Sequence, residues 1–297
     1  MTPLRKKKAR VTIFDLVAAL LILTGVIYLS YRISVGLHYK WNWQAMPQYF
    51  FHYDQQKGEW VTNLIMEGLF TTIRLSVWGT ILATVLGTIV GLCRLSQGLF
   101  YRLVGRTYVE LIRNMPPLVL IFIFYYFVSS QIMPLLAIDD FIFRQPESVQ
   151  RVCAILLAPP NFLSAFLSAL FTLAVFEGAY IAEIIRAGIQ SIDKGQWEAS
   201  HALGLSKWQQ MRYVILPQAV QRILPPLAGQ FISLIKDSSI VSVISIQELT
   251  FQGMELMAAT YLTFEIWITI AVLYLVMTLT CSLAVQRLEV RLARGRS

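Results

Sequence analysis

The stretch NFLSAFLSALFTLAVFEGAYIAEIIRAGIQSIDKGQWEASHALGLSKWQQMRYVILP, residues 161–217, decides how the chain is built. About twenty predominantly apolar residues carry a helix across a bilayer, and 161–186 meets that length. Pro159-Pro160 stand just before it, where a missing backbone N–H costs nothing and a helix can begin. From Gln190 the composition turns polar, yet helix signals persist. Asp193 and Ser206 are side-chain caps, Gly204 suits a left-handed stop, and Pro217 is read as lying beyond the end of a second helix. The segment therefore reads as a membrane span followed by a structured helix–turn–helix at the bilayer surface.

Working outward, the same ruler gives further spans near 11–33, 64–93, 108–130, 226–247 and 264–286. The expectation is an all-α integral membrane protein of about six transmembrane helices. Residues 131–158 carry Asp139, Asp140, Arg144, Pro146 and Glu147 and read as a loop resting on the membrane surface. Composition agrees: of 297 residues 56% are hydrophobic and only 14% charged, with a mean hydropathy of +0.59. A soluble domain carries about a quarter charged residues. The first apolar run follows Arg5–Arg10 and is longer than a cleavable signal core of about 7–15 residues, so it reads as an uncleaved span.

Lysine and arginine set the orientation. Arg5–Arg10, Arg94–Arg113, Arg186–Arg222 and Arg287–Arg296 put eighteen on one side; Arg32, Lys40, Lys57, Arg144 and Arg151 put five on the other. Both termini and the 190–217 loop are thus expected in the cytosol. The net charge of +8 is explained by these flanking clusters, and no aromatic-interleaved basic surface suggests nucleic acid. Cys93, Cys153 and Cys281 lack metal-ligand or disulfide-framework spacing. In the second span Gly79, Ala83, Gly87 and Gly91 recur every four residues, which suits close helix packing.

On physical grounds the 190–217 loop is either a docking knob, with Ala199, Ser200 and Ala202 leaving a short-stemmed surface, or an ordinary amphipathic connector. Its spacing resembles the EAA loop of bacterial ABC importer permeases: Glu198, Ala199, Gly204, Leu216 and Pro217 match, with Ser200 for the second Ala and Val214 for Ile. Four further blocks (Glu67–Thr72, Tyr108–Pro116, Gly178–Ile189 and Lys236–Ser239) resemble permeases of the polar amino acid uptake group. Asn114-Met115 stands where those permeases have Gly-Thr. The resemblance covers about residues 62–290.

It implies a type I ABC importer permease core of five helices plus one extra N-terminal helix, in the bacterial inner membrane. The corresponding division is 1–60 for the basic segment, extra helix and periplasmic loop, 61–290 for the permease domain, and 291–297 for a basic tail. The implied partners are a dimer of ABC ATPase subunits binding ATP and Mg, a second permease subunit, an external amino acid binding protein and the amino acid itself. The loop would be the coupling helix. No Gly-x4-Gly-Lys-Ser/Thr sequence occurs, so ATP would bind the partner, with no catalytic residue, metal or cofactor in this chain.

Charged groups inside spans mark function by default. Lys236 and Asp237, followed by Ser238 and Ser239, either meet a zwitterion or fix helix packing. Glu177, with Tyr180 on the same helical face, is either an ammonium contact or an interhelical hydrogen bond. Glu110, Arg113, Glu183 and Arg186 at the cytosolic boundary suit a gate or an interface. Arg74 either attracts a carboxylate or snorkels. The competing reading, a self-sufficient carrier or channel, would be expected to show inverted repeats and matching broken helices, which are not evident here.

Overall fold

The computed structural model describes residues 13–36, 39–55 and 58–294. The basic stretch Arg5–Arg10, Lys57 and Arg296 lie outside the described residues. Two compact units divide at Asn42. The first holds helix α1 (Ile13–Gly36), exposed along its described side chains. The second begins with two short 3-10 turns and an antiparallel hairpin, β1 (Phe51–Asp54) and β2 (Glu59–Thr62), pairing Tyr53 with Trp60.

Asn63 then caps α2 (Leu64–Leu95) by accepting from the Leu64 N–H at 2.8 Å. Next come α3 (Leu99–Asn114), α4 (Pro117–Phe127), a π turn (Val128–Ile132), α5 (Met133–Leu136), α6 (Ile138–Phe143) and α7 (Glu147–Leu156). The remainder is α8 (Leu163–Gln190), α9 (Lys194–Ala202), α10 (Lys207–Gln209), a π turn (Gln210–Ile215), α11 (Leu216–Asp237), a 3-10 stretch (Ser238–Ile244), α12 (Leu249–Thr260) and α13 (Thr263–Arg294). Five helical stretches are long and apolar enough to span a bilayer: Leu64–Leu95, Pro117–Leu136, Pro160–Gln190, Lys207–Ile244 and Thr263–Arg287. With the shorter apolar Ile13–Leu29 they make the expected set of about six.

The best buried span is Pro160–Gln190, and its main neighbour is α2. The four-residue glycine spacing is what brings them together. A Cβ on Gly87 would lie 2.7 Å from the Ile181 side chain and 2.9 Å from the Gly178 carbonyl, so the backbones touch. Leu75, Phe166, Leu170, Leu173 and Val241 pack one end of the core; Ala83, Ile181, Ile185, Ile215, Ala219 and Ile223 pack the other.

Three expectations are corrected. The span placed at 108–130 is broken, because Pro116 and Pro117 push Met115 into extended backbone (φ −99°, ψ 149°). Residues 99–114 form a separate amphipathic helix burying Gly105, Val109 and Ile112, and the span starts at Pro117. The loop at 131–158 is three short helices; Pro146 immediately precedes α7, and Glu147 occupies its first turn, where an acid is favoured. Finally, Pro217 terminates nothing. The helix runs from Lys207 to Asp237, with Pro225 and Pro226 inside it. A helical proline lacks one N–H and crowds the carbonyl four residues back. Here the preceding π turn, in which the Leu216 N–H reaches the Met211 carbonyl, widens the backbone to receive it.

Candidate functional site

The loop following α8 is held by the caps its sequence supplies. Asp193 accepts from the Gly195 N–H at 2.7 Å, Gly204 sits at φ 73°, and Ser206 with Gln209 forms a reciprocal capping box. Glu198, Ala199, Gly204 and Pro217 are exposed, and Leu216 is half-buried. Ser200 is buried, its hydroxyl donated to the Trp197 carbonyl at 2.8 Å, so it packs the knob from inside. Sequence reading missed the apolar residues around this motif: Leu203, Trp208 and Tyr213 are 79%, 67% and 64% exposed, with the two rings edge to face. Large side chains turned outward on a rigid loop make a surface suited to a partner.

Deep in the bundle, Glu177 of α8 is fully buried and accepts a hydrogen bond from the Gln230 amide of α11. Its Oε1 has no hydrogen-bond partner among the described residues. Asp237, seven residues beyond Gln230 on the same helix face, lies close enough to interact with Glu177. Gln230 was not singled out from sequence; an amide two turns before a mid-span acid is the signal that could have found it.

Other candidates point elsewhere. Lys236 and Ser239 line a separate cleft of about 230 Å³ with Trp267 and Tyr274. Ser238 donates to the Ile235 carbonyl of its own helix at 2.8 Å. Tyr180 stacks edge to face on Phe176 and lies under the Arg113 guanidinium, 5.4 Å from ring centre. Among the predicted solute contacts, the structure thus brings Glu177 and Asp237 together and turns Tyr180, Lys236, Ser238 and Ser239 to other neighbours.

At the loop end of α8, Glu183 receives Arg94 of α2 on one oxygen and Arg186 on both, while Arg186 also reaches Gln190. A polar cavity of about 250 Å³ opens beside them, lined by Arg94, Glu110, Arg113 and Asn114. The Asn114 amide donates to Glu110 at its carbonyl (2.8 Å) and carboxylate (3.2 Å). Tyr108 of α3 anchors this corner by donating to the Val175 carbonyl at 2.5 Å; burial raises its phenol above the usual range and keeps it a donor. Such a network can bind, orient and open.

Comparison with known proteins agrees with this geometry. Residues 65–295 match the family described as binding-protein-dependent transport system inner membrane component. The chain is 38% identical over 229 residues to the glutamine transport system permease protein GlnP of Escherichia coli (strain K12), covering 77% of this chain and 93% of that one. It is 34% identical over 233 residues to the probable glutamine ABC transporter permease protein GlnM of Bacillus subtilis (strain 168), covering 78% and 95%. A crystal structure of an amino acid ABC transporter with histidines superposes with a TM-score of 0.66 at 33% identity, covering 85% of this chain and all of that one. With its spans, its exposed loop at the spacing of Glu198 to Pro217, and this likeness over most of its length, the chain belongs to the binding-protein-dependent transport system inner membrane component family and is an ABC transporter permease subunit.

Proposed function

We propose that this permease subunit moves polar amino acids, of glutamine's kind, into the cytosol. A dimer of separate ATPase subunits holding ATP and Mg drives it, a second permease copy or homologue completes the passage, and an external binding protein delivers the solute. The observation that carries this reading is the single helical run from the exposed docking loop to Asp237. A partner pressing near Trp208 would act on the same continuous helical run that presents Gln230 and Asp237 to Glu177. The names of the relatives support the choice of solute class. The lysine and arginine imbalance supports both termini in the cytosol, with residues 1–60 an addition to the permease core.

In this reading Glu198, Ala199, Gly204, Leu216 and Pro217 shape the ATPase contact, with Ser200 bracing it. Glu177 and Asp237 meet the solute ammonium, with Lys236, Ser238, Ser239 and Tyr180 bordering the route. Glu110, Arg113, Glu183 and Arg186 form the gate. The test is reconstitution of the permease with its ATPase and binding protein in liposomes. Labelled L-glutamine should accumulate only with ATP; accumulation driven by an ion gradient in the absence of ATP favours a self-sufficient carrier instead.

A further inference from the structure

At the end of α2 remote from the docking loop, a cavity of about 260 Å³ lies between α2, the α7–α8 junction and the turn leading into α12. That volume is just under the usual range of about 300–1,000 Å³ for small-molecule sites, and suits a compact polar molecule. Glu67, Phe70, Thr71 and Arg74 form one wall at i, i+3, i+4 and i+7 on a single face of α2. It shares no lining residue with the Glu177 cluster.

The cavity offers both charge signs and an unmet acceptor. One Arg74 N–H is donated to the Leu157 carbonyl at 3.2 Å, the guanidinium makes no other hydrogen bond among the described residues, and Glu67 attracts it at longer range. The Glu67 carboxylate makes no ion pair or side-chain hydrogen bond among the described residues. Gln252, only 2% exposed, lines the cavity, and its Oε1 has no donor among the described residues. A buried acceptor left this way forgoes its hydration without a replacement, so a ligand donor that reaches it is favoured. The rim also holds Ser245, whose left-handed φ of 62° ends the 3-10 stretch as its C-cap.

We propose that this cavity is a second, outer binding site for a zwitterionic amino acid, with Arg74 taking the carboxylate and Glu67 and Gln252 the ammonium. The assignment rests on the amino acid reading above and adds a waypoint on the side away from the ATPase. A lipid headgroup also combines an anion with an ammonium, but its acyl chains would have to leave through the Phe70 and Phe162 side of a cavity this small.

The experiment uses the full transporter in nanodiscs with Thr71→Cys, measuring maleimide modification at that position by peptide mass spectrometry. L-Glutamine should slow labelling about tenfold. Arg74→Gln should abolish this protection, Glu67→Gln should weaken it, and Glu177→Gln should leave it intact. Because the Glu67 carboxylate makes no side-chain hydrogen bond or close ion pair among the described residues and feels Arg74 only at longer range, Glu67→Gln decides the matter should Arg74→Gln fail to fold. Absence of protection overturns the proposal, as does protection that survives Arg74→Gln but disappears in Glu177→Gln. Protection that follows phosphatidylethanolamine content and ignores glutamine assigns the cavity to lipid and overturns it too. ATP-driven uptake by the same transporter reconstituted in liposomes, without Thr71 labelling, reports on the transport reading separately.

Discussion

At the loop after α8, large apolar side chains face outward on a scaffold whose caps are satisfied; at Glu177, a carboxylate is fully buried with one oxygen unpartnered. The two regions invert the ordinary rule in opposite senses, apolar groups out and charge in. Each inversion costs stability: exposed Trp208 forgoes burial, and an underbonded carboxylate forgoes hydration. The difference teaches what each lacks. The loop is complete as a fold and leaves apolar side chains uncovered; the buried cluster sets Glu177 against Gln230 and Asp237, and the Glu177 Oε1 has no hydrogen-bond partner among the described residues.

This contrast can be broken by substitution. The largest effect is expected from Glu198→Arg, which reverses a charge on the exposed knob. ATP-driven uptake should fall by about a hundredfold or more, as for a hot-spot loss of roughly 3 kcal/mol, while the permease remains folded in the membrane. Unaltered uptake would remove the docking role. Glu177→Gln is next: the concentration for half-maximal uptake should rise about tenfold with co-purification of the ATPase unchanged. An unchanged transport affinity would refute the solute role. Gly87→Leu drives a side chain into Ile181 and the Gly178 carbonyl, and should lower stability by about 1–3 kcal/mol, read as a lower melting temperature in detergent. A neutral result would mean that α2 and α8 can separate. The smallest effect belongs to Gly204→Ala at φ 73°, about 1 kcal/mol, which should loosen only the knob and lower coupling efficiency slightly.

The spans, the caps of the loop and the small-residue face of α2 were legible because each is written locally: an apolar run of sufficient length, a capping residue, a repeat of four. The break at Met115–Pro116 was equally local, but hydropathy on both sides concealed it. Pro217 misled because a π turn upstream makes room for its ring, and that turn has no one-residue signature. The cluster proposed to meet the solute was half legible. Glu177 and Asp237 announce themselves as mid-span acids, whereas Gln230 matters only because α11 lies against α8, and Lys236 leaves the cluster because adjacent helical residues diverge by about 100°.

The unbroken helical run from Lys207 to Ile244 carries one further consequence. From Trp208 to Asp237 it is about 43 Å long at 1.5 Å per residue, with no loop in it, although a π turn and Pro225-Pro226 interrupt its hydrogen bonding. Two ligands that act on one element obey reciprocity: on the proposed assignment, whatever free energy ATPase docking applied to the pairing of Gln230 with Glu177, an occupant of that pairing would return to ATPase docking in equal measure. If the proposed assignment holds, a solute at Glu177 would also shift the affinity of the ATPase for the loop, a coupling that ATPase binding measured with and without solute can read.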